Sequence, residues 1–289
     1  MKKKTIVSLL LVAVLAIGAT GCTKKTETSE AGKKAEDNGK KVVNVAYQNN
    51  AFPLAYEDES GNLTGYEIEV MKILDEKLED YEFKFINAGT QEAEYTGLTT
   101  GKFDIVLSNA FYTDERDKAY NLPKNPIGAS LVGLVLPKDN KDVKGFDDVA
   151  KKKLSLAPIL AGDGLYYVVY KYNQEHQGAE IKLDATDDAN AFMNSIGWVA
   201  DGRYDTAVWP KNYYEQIVTD KKGDLHDFDA KVKFVECRSV HTYPVIKKDL
   251  TELAEAVDKG LGEIKETGKM NELSKQFYGY DAFAYDSSN

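Results

Sequence analysis

The stretch GLTTGKFDIVLSN occupies residues 97–109, and GWVADGRYDTAVWPK occupies residues 197–211. Each carries a glycine, a basic residue, an aromatic and an aspartate, then a β-rich run: Gly101, Lys102, Phe103 and Asp104 in the first, Gly202, Arg203, Tyr204 and Asp205 in the second. A helix that ends on a glycine in the left-handed conformation, a chain reversal, and an aromatic that packs where the next strand starts would produce this order. The strand then delivers its last residues to the edge where open α/β sheets bind ligands. Two copies predict two similar lobes, with the strand ends SN and WPK facing one another across a cleft.

The flanking sequence supports that reading. VVNVAYQ and YEFKFIN read as strands, and between them TGYEIEVMKILDEKLED spaces Val70, Leu74 and Leu78 as one helical face. EAEYTGLTTG ends a short helix at Gly101, and FDIVLSN follows as a strand. Later, strand LSLAPIL, helix GLYYVVYKYNQEH, strand AEIKLD, helix ANAFMNSIGWVAD and strand YDTAVWP continue the alternation. Strands alternating with helices predict α/β domains with largely parallel sheets.

At 289 residues, 43% hydrophobic and 29% charged, the chain can bury about two cores. Its net charge of -10 argues against a nucleic-acid partner, because phosphate binding needs a basic surface.

The N-terminus reads as a targeting segment. MKKK is a basic start, TIVSLLLVAVLAIG an uncharged apolar run, and ATGC places small residues before Cys22. The apolar run is shorter than the roughly 20 residues of a membrane span, which fits a secretory signal. The end of the segment resembles a bacterial lipobox, although Ala19 stands where such motifs usually carry Leu. That resemblance implies cleavage of residues 1–21 and a diacylglyceryl thioether on Cys22, which would hold the protein on the outer face of a membrane. Loss of Lys2, Lys3 and Lys4 would take the net charge to -13. Residues 22–41 follow as a tether: after Cys22 they contain six Lys, four acids and no apolar residue larger than Ala, too little to offset chain entropy. Cys237 is the other cysteine, so a disulfide scaffold is excluded and Cys237 is expected to be a small buried apolar residue.

From residue 42 to about 280 the chain resembles the family-3 extracellular solute-binding proteins, the amino-acid receptors of ABC importers. AFPLAYEDESGNLTGYEIEV is similar to that family's YxPF element followed by its DxxGxLxGF hairpin and helix. GKFDIVLSNAFYTDER resembles its GKYD strand followed by S(G/N)xxxTxER. TYPVIKKDLTELAEAVDKGLGEIKETGKMNELSKQFYG resembles its closing strand and helices. The resemblance implies an α/β, two-lobed, periplasmic-binding-protein-like fold of type II, with two hinge crossovers and a central ligand cleft. The expected lobes are 42–134 with 237–280, and 135–236, leaving 281–289 as a tail. GLVLP and FVECR would be the hinge strands.

The same resemblance implies site residues. Arg116 matches an arginine that grips a ligand α-carboxylate, a task suited to its planar, always-charged fork. Thr113 would cap the helix that carries it. Ser108, Asn109, Ala110 and Phe111 match positions that offer hydroxyl, amide and backbone contacts. Phe52 is a candidate aromatic wall or a core residue. The second lobe departs from the pattern. AGDGLYY puts Asp163, followed by Gly164, where many members have Thr, and Pro210, after Trp209, where many have the aspartate that holds an α-ammonium; Asp163, Gly164 and Trp209 are the second-lobe candidates for ligand contact. Asp163 either takes over the ammonium or only caps its helix; the ligand need not be an ordinary α-amino acid.

No metal, cofactor or catalytic constellation is expected. His176, His226 and His241 are scattered, and the acids near 58–69 lack the central glycine of a calcium loop. The expected partners are an amino-acid-like ligand, an ABC permease and ATPase, and the membrane through the lipid; the protein is expected to be a monomer. Two alternatives stay open: an enzyme on the same fold, such as a dehydratase of cyclic amino-acid precursors using Asp163 or Glu94, and a ligand-sensing surface lipoprotein.

Overall fold

The computed structural model describes residues 39–285. The signal segment, Cys22 and nearly all of the tether lie outside the described residues. The tether was expected to reach Lys41, but Lys41 already belongs to the first strand, paired with Tyr81.

The chain runs β1 (Lys41–Tyr47), a small sheet of β2 (Asn50–Ala51), β3 (Ala55–Glu57) and β4 (Leu63–Thr64), α1 (Tyr66–Lys77), β5 (Tyr81–Asn87), α2 (Gln91–Thr100), β6 (Ile105–Phe111) and α3 (Asp114–Ala119). It continues through β7 (Gly128–Pro137), α4 (Phe146–Lys152), β8 (Ile159–Leu160), α5 (Gly164–Glu175), β9 (Ala185–Thr186), α6 (Ala191–Ala200), β10 (Ala207–Pro210) and α7 (Lys211–Tyr214). The long β11 (Val232–Ile246), α8 (Thr251–Glu266) and α9 (Lys269–Tyr278) complete it.

Six strands form one sheet in the order β10-β7-β11-β6-β1-β5. β1 pairs parallel with β5 and β6, as the strand–helix alternation predicts. β11 pairs antiparallel with β6 and β7, and β7 with β10. The antiparallel half departs from expectation because β7 and β11 run out to and back from the second lobe rather than through a crossover helix.

The cores follow the two-residue period of the strands. On β1, Val43, Val45 and Tyr47 face α1, α8 and α9, while Ala46 faces the other way, onto Leu98 of α2 and Phe103. On β7, Val132, Leu134 and Leu136 pack with α4 and α5, and Val135 packs with α6 and Trp209. Two cores thus flank β5-β1-β6 and two flank the far half of β7. Along β7 the change comes between Ala129 and Val132, nearer the N-terminus of the strand than the expected Leu134. GLVLP and FVECR do pair with each other, Gly133 with Glu236 and Val135 with Phe234.

The repeated stretch has a repeated structure. Gly101 and Gly202 both take the left-handed conformation, at φ 78° and 74°. Lys102 N donates to Gly97 O, and Arg203 N to Trp198 O, both at 2.8 Å, the closing bond of a Schellman turn. The aspartate then fixes the neighbouring segment: Asp104 Oδ2 accepts from Asn44 N at 2.8 Å, and Asp205 Oδ2 from Ser155 N at 2.7 Å.

Two expected strands are mostly absent. In LSLAPIL, Pro158 has no N–H to give, leaving a bridge at Leu156 and the short β8. In AEIKLD, the Asn173 side chain takes both backbone groups of Ile181 at 2.8 Å, in place of a ladder. The supposed tail is also different. Ala282 and Phe283 are buried in the first lobe's core, and Ser239 Oγ donates to Ala282 O at 2.7 Å. Apolar burial therefore ties the chain down as far as Tyr285, whose N donates to Ser239 Oγ.

Candidate ligand-binding site

Two residues before its end, β6 carries a local irregularity in its pairing with β11. Asn109 sits at φ 50°, a region that few residues other than glycine enter but that Asn tolerates. Its N–H donates to Glu67 Oε1 at 3.2 Å, and its side-chain amide pairs with Ser130 Oγ on β7 at 3.0 Å. Ser108 Oγ lies 3.2 Å from the Tyr95 hydroxyl of α2. Thr113 caps α3 by accepting from Arg116 N at 3.0 Å. That short helix turns the Arg116 guanidinium back over the strand end, where it donates to Phe111 O.

The second lobe contributes the start of α5. Asp163 is its N-cap, with Oδ1 accepting from Leu165 N at 2.7 Å. Burial raises the Asp163 pKa, and the Leu165 N–H and the Arg116 charge oppose the rise. Gly164 brings this helix end close to the first lobe: a Cβ there would come within 2.7 Å of the Phe111 ring.

A cavity of about 330 Å³ lies between these parts, lined by Ser108, Asn109, Ala110, Phe111, Arg116, Asp163 and Gly164. Gln91, Leu165, Phe192, Pro210 and Tyr213 complete its wall. Seven sequence-derived site residues therefore meet in one place, drawn from both lobes. Two do not. Trp209 is fully buried; its Nε1–H donates to Ser195 Oγ at 2.8 Å and its ring stacks on Phe192 at 4.0 Å. Its reach to the cavity is through Phe192, because the alternation of β10 turns Trp209 inward and leaves Pro210 on the wall. Phe52 is half exposed on the small sheet, packed against the Tyr56 ring at 4.9 Å and outside the cavity lining.

Sequence reasoning missed Gln91, Leu165, Phe192 and Tyr213. Gln91 opens α2 immediately ahead of the first repeated stretch, which is the signal that could have found it. A second, apolar cavity of about 190 Å³ adjoins in the second lobe, walled by Ile159, Leu160 and Val208 and sharing Asp163, Leu165 and Phe192.

Two buried carboxylic acids stand behind the first-lobe wall. Burial pushes Glu67 up to about 8, even though it accepts the Asn109 N–H. Burial likewise pushes Glu94 up to about 7, although Gln48 Nε2 donates to its Oε2 at 2.9 Å. Cys237, half-buried with its thiol toward Val235 O, is pushed up to about 12 and so stays an inert thiol.

The model of the bacterial extracellular solute-binding proteins, family 3, matches residues 43–280. This chain belongs to that family. The L-cystine-binding protein TcyJ of Bacillus subtilis (strain 168) is 26% identical to this solute-binding protein, covering 97% of this chain and 96% of its own. The probable amino-acid-binding protein YxeM of the same organism is 28% identical, covering 97% of both. A solved structure from a study of glutathione import through GshT and the cystine ABC importer TcyBC of Streptococcus mutans is 28% identical, with a TM-score of 0.57 over 84% of this chain and 96% of its own. The family is two-lobed and extracellular, and no described helix of this member is long and apolar enough to cross a membrane.

Proposed function

We propose that this solute-binding protein is the receptor of an ABC importer, binding an amino acid or an amino-acid-like molecule between its lobes and handing it to a permease without changing it. The observation that carries the reading is the cavity in which Arg116 and Asp163, from different lobes, meet beside the end of β6. A fixed cation on one wall and a carboxylic acid on the other suit a zwitterion. Arg116 grips the carboxylate, the strand end from Ser108 to Phe111 supplies further polar contacts, and the adjoining apolar cavity takes an uncharged part of the ligand. Relatives named for L-cystine and for amino acids favour this class.

The ligand closes the lobes about β7 and β11, because the closed state alone offers both walls. The hinge lies where the core residues of the two strands change lobes, between Ala129 and Val132 on β7 and between Val240 and Val245 on β11. Cys22 carries the lipid, and residues 23–40 tether the body to the membrane. Transport rather than sensing is favoured by the relatives' importer context.

The test is calorimetry of wild type with L-cystine, L-arginine, L-glutamine and glutathione, beside a thermal-shift screen. A ligand at a hundred times its dissociation constant adds about 2.7 kcal/mol of stability. Binding by at least one compound, returned unaltered, is the expected result; a chemically changed compound would move the reading to an enzyme.

A further inference from the structure

We propose that Glu94 is a first-lobe receptor for the positively charged nitrogen of the ligand, a role that is one of two readings of Asp163 from the sequence. This deepens the proposed function and rests on it: the ligand class narrows to molecules that bring an ammonium or guanidinium to the first lobe.

The carboxyl is fully buried in α2, one turn along from Gln91, which lines the cavity. Its Oε2 takes the Gln48 amide, and its Oε1 has no partner at all. A buried acceptor without a donor is costly and rare in native proteins, so a group that supplies the missing donor gains from meeting it. Among the described residues the other buried side-chain atom left without a partner is Asn49 Oδ1, next to Gln48 at the end of β1. Both are acceptors, both stand where β1 gives way to its loop, and so the missing group is a donor. The end of a parallel strand is also where α/β folds bind ligands.

The charged neighbourhood selects a cation. Glu67 of α1 bears on Glu94, and Tyr213 of α7, on the cavity wall, feels both carboxyls. Gln48, from β1, is neutral. No Lys or Arg is paired with Glu94 among the described residues. Two acids with no counter-ion, covered from the second lobe by a cavity-wall tyrosine, form a place that a cation from the Tyr213 side would complete. On the opposite wall Pro210 offers no acid, and Asp163 already spends one oxygen on the cap of α5. Burial pushes the Glu94 carboxyl up to about 7, so near and below that pH a cation arriving there displaces a proton.

The experiment compares wild type with Glu94→Gln, which keeps the shape and the Gln48 contact and removes the charge. L-cystine, L-arginine, L-glutamine and glutathione are titrated by calorimetry at pH 6 and pH 8, in two buffers of different ionisation heat. For whichever compound binds wild type, Glu94→Gln is expected to weaken binding at least about thirtyfold at pH 8. Proton release should accompany wild-type binding near neutral pH and be absent from the variant. Circular dichroism confirms the fold of the variant, and Gln48→Leu, which frees the second oxygen of Glu94, must keep proton release. Equal affinity and equal proton release in wild type and Glu94→Gln overturn the proposal and leave the amino-acid reading standing. If no compound binds wild type, that reading falls and the proposal falls with it.

Discussion

Asp163 and Arg116 face one cavity from opposite lobes, and Asp163 is already committed to its own helix. Its Oδ1 accepts from Leu165 N at 2.7 Å, while the Arg116 charge favours its ionised form. Asp163 can therefore serve both as a cap and as a charge that Arg116 feels. The two duties separate in Asp163→Asn, since Asn caps a helix as well as Asp does. Helix stability should stay within a few tenths of a kcal/mol. If Asp163 only steadies Arg116 or caps α5, calorimetry will show affinity changing less than threefold; a larger loss would give it a direct share of the ligand's nitrogen.

Arg116→Ala tests the other wall. Removing the guanidinium strands a desolvated carboxylate on the ligand, a loss on the order of 2–5 kcal/mol in binding. The cap from Thr113 remains, so the thermal midpoint of the empty protein should barely move. Unchanged affinity for the ligand would end the carboxylate assignment.

Closure depends on a glycine. Gly164 is the first residue of α5, where Ala would be welcome on helix propensity alone. Its added Cβ would meet the Phe111 ring at 2.7 Å, across the lobes. Gly164→Ala should therefore leave the empty protein as stable as wild type and hold it more open. Small-angle scattering at saturating ligand should give a larger radius of gyration than wild type, with weaker binding. A profile that closes like wild type would show that Phe111 yields.

A second contact across the lobes is the Tyr167 hydroxyl of α5, which donates to Asp114 Oδ1 of α3 at 2.8 Å. The bond joins α3 of the first lobe to α5 of the second. Tyr167→Phe removes it at the cost of about 0.5–1.5 kcal/mol of the closed state. Ligand dissociation measured by stopped flow should quicken several-fold, with association little changed.

How much of this was legible depends on the range of each interaction. The turn Gly101 to Asp104 and its copy Gly202 to Asp205 are local, and every residue in them acts within a few positions, so the pattern could be read directly. Arg116 was legible because Thr113 and the strand end lie beside it in the chain. Phe192 and Tyr213 were not, because they reach the cavity only through the packing of α6 and α7 onto the second lobe. Trp209 misled for a related reason: a two-residue alternation decides which of Trp209 and Pro210 faces the ligand, and a four-residue strand gives too little pattern to fix its phase. Glu94 was named in the sequence only as an acid that an enzyme on this fold could use; its burial and its unfilled oxygen are properties of the fold.

Those buried acids also set how stability follows pH. Burial raises Glu67 to about 8 and Glu94 to about 7, both above the ordinary value near 4.5. A carboxyl whose pKa is raised in the folded state stabilises it fully below the unfolded value and loses that contribution as pH rises through the folded value. With respect to these two groups the empty protein should thus be most stable below about pH 4.5, and lose stability from there up to about pH 8. For Glu94 the change amounts to on the order of 3 kcal/mol across that window. Glu94→Gln cannot ionise, so its stability should fall less between pH 5 and 8 than that of wild type, and the remaining slope should belong chiefly to Glu67. Urea unfolding at pH 5, 6, 7 and 8 measures both slopes. Parallel curves for wild type and Glu94→Gln would mean that Glu94 ionises freely in the folded protein, and that something other than its own burial sets its state.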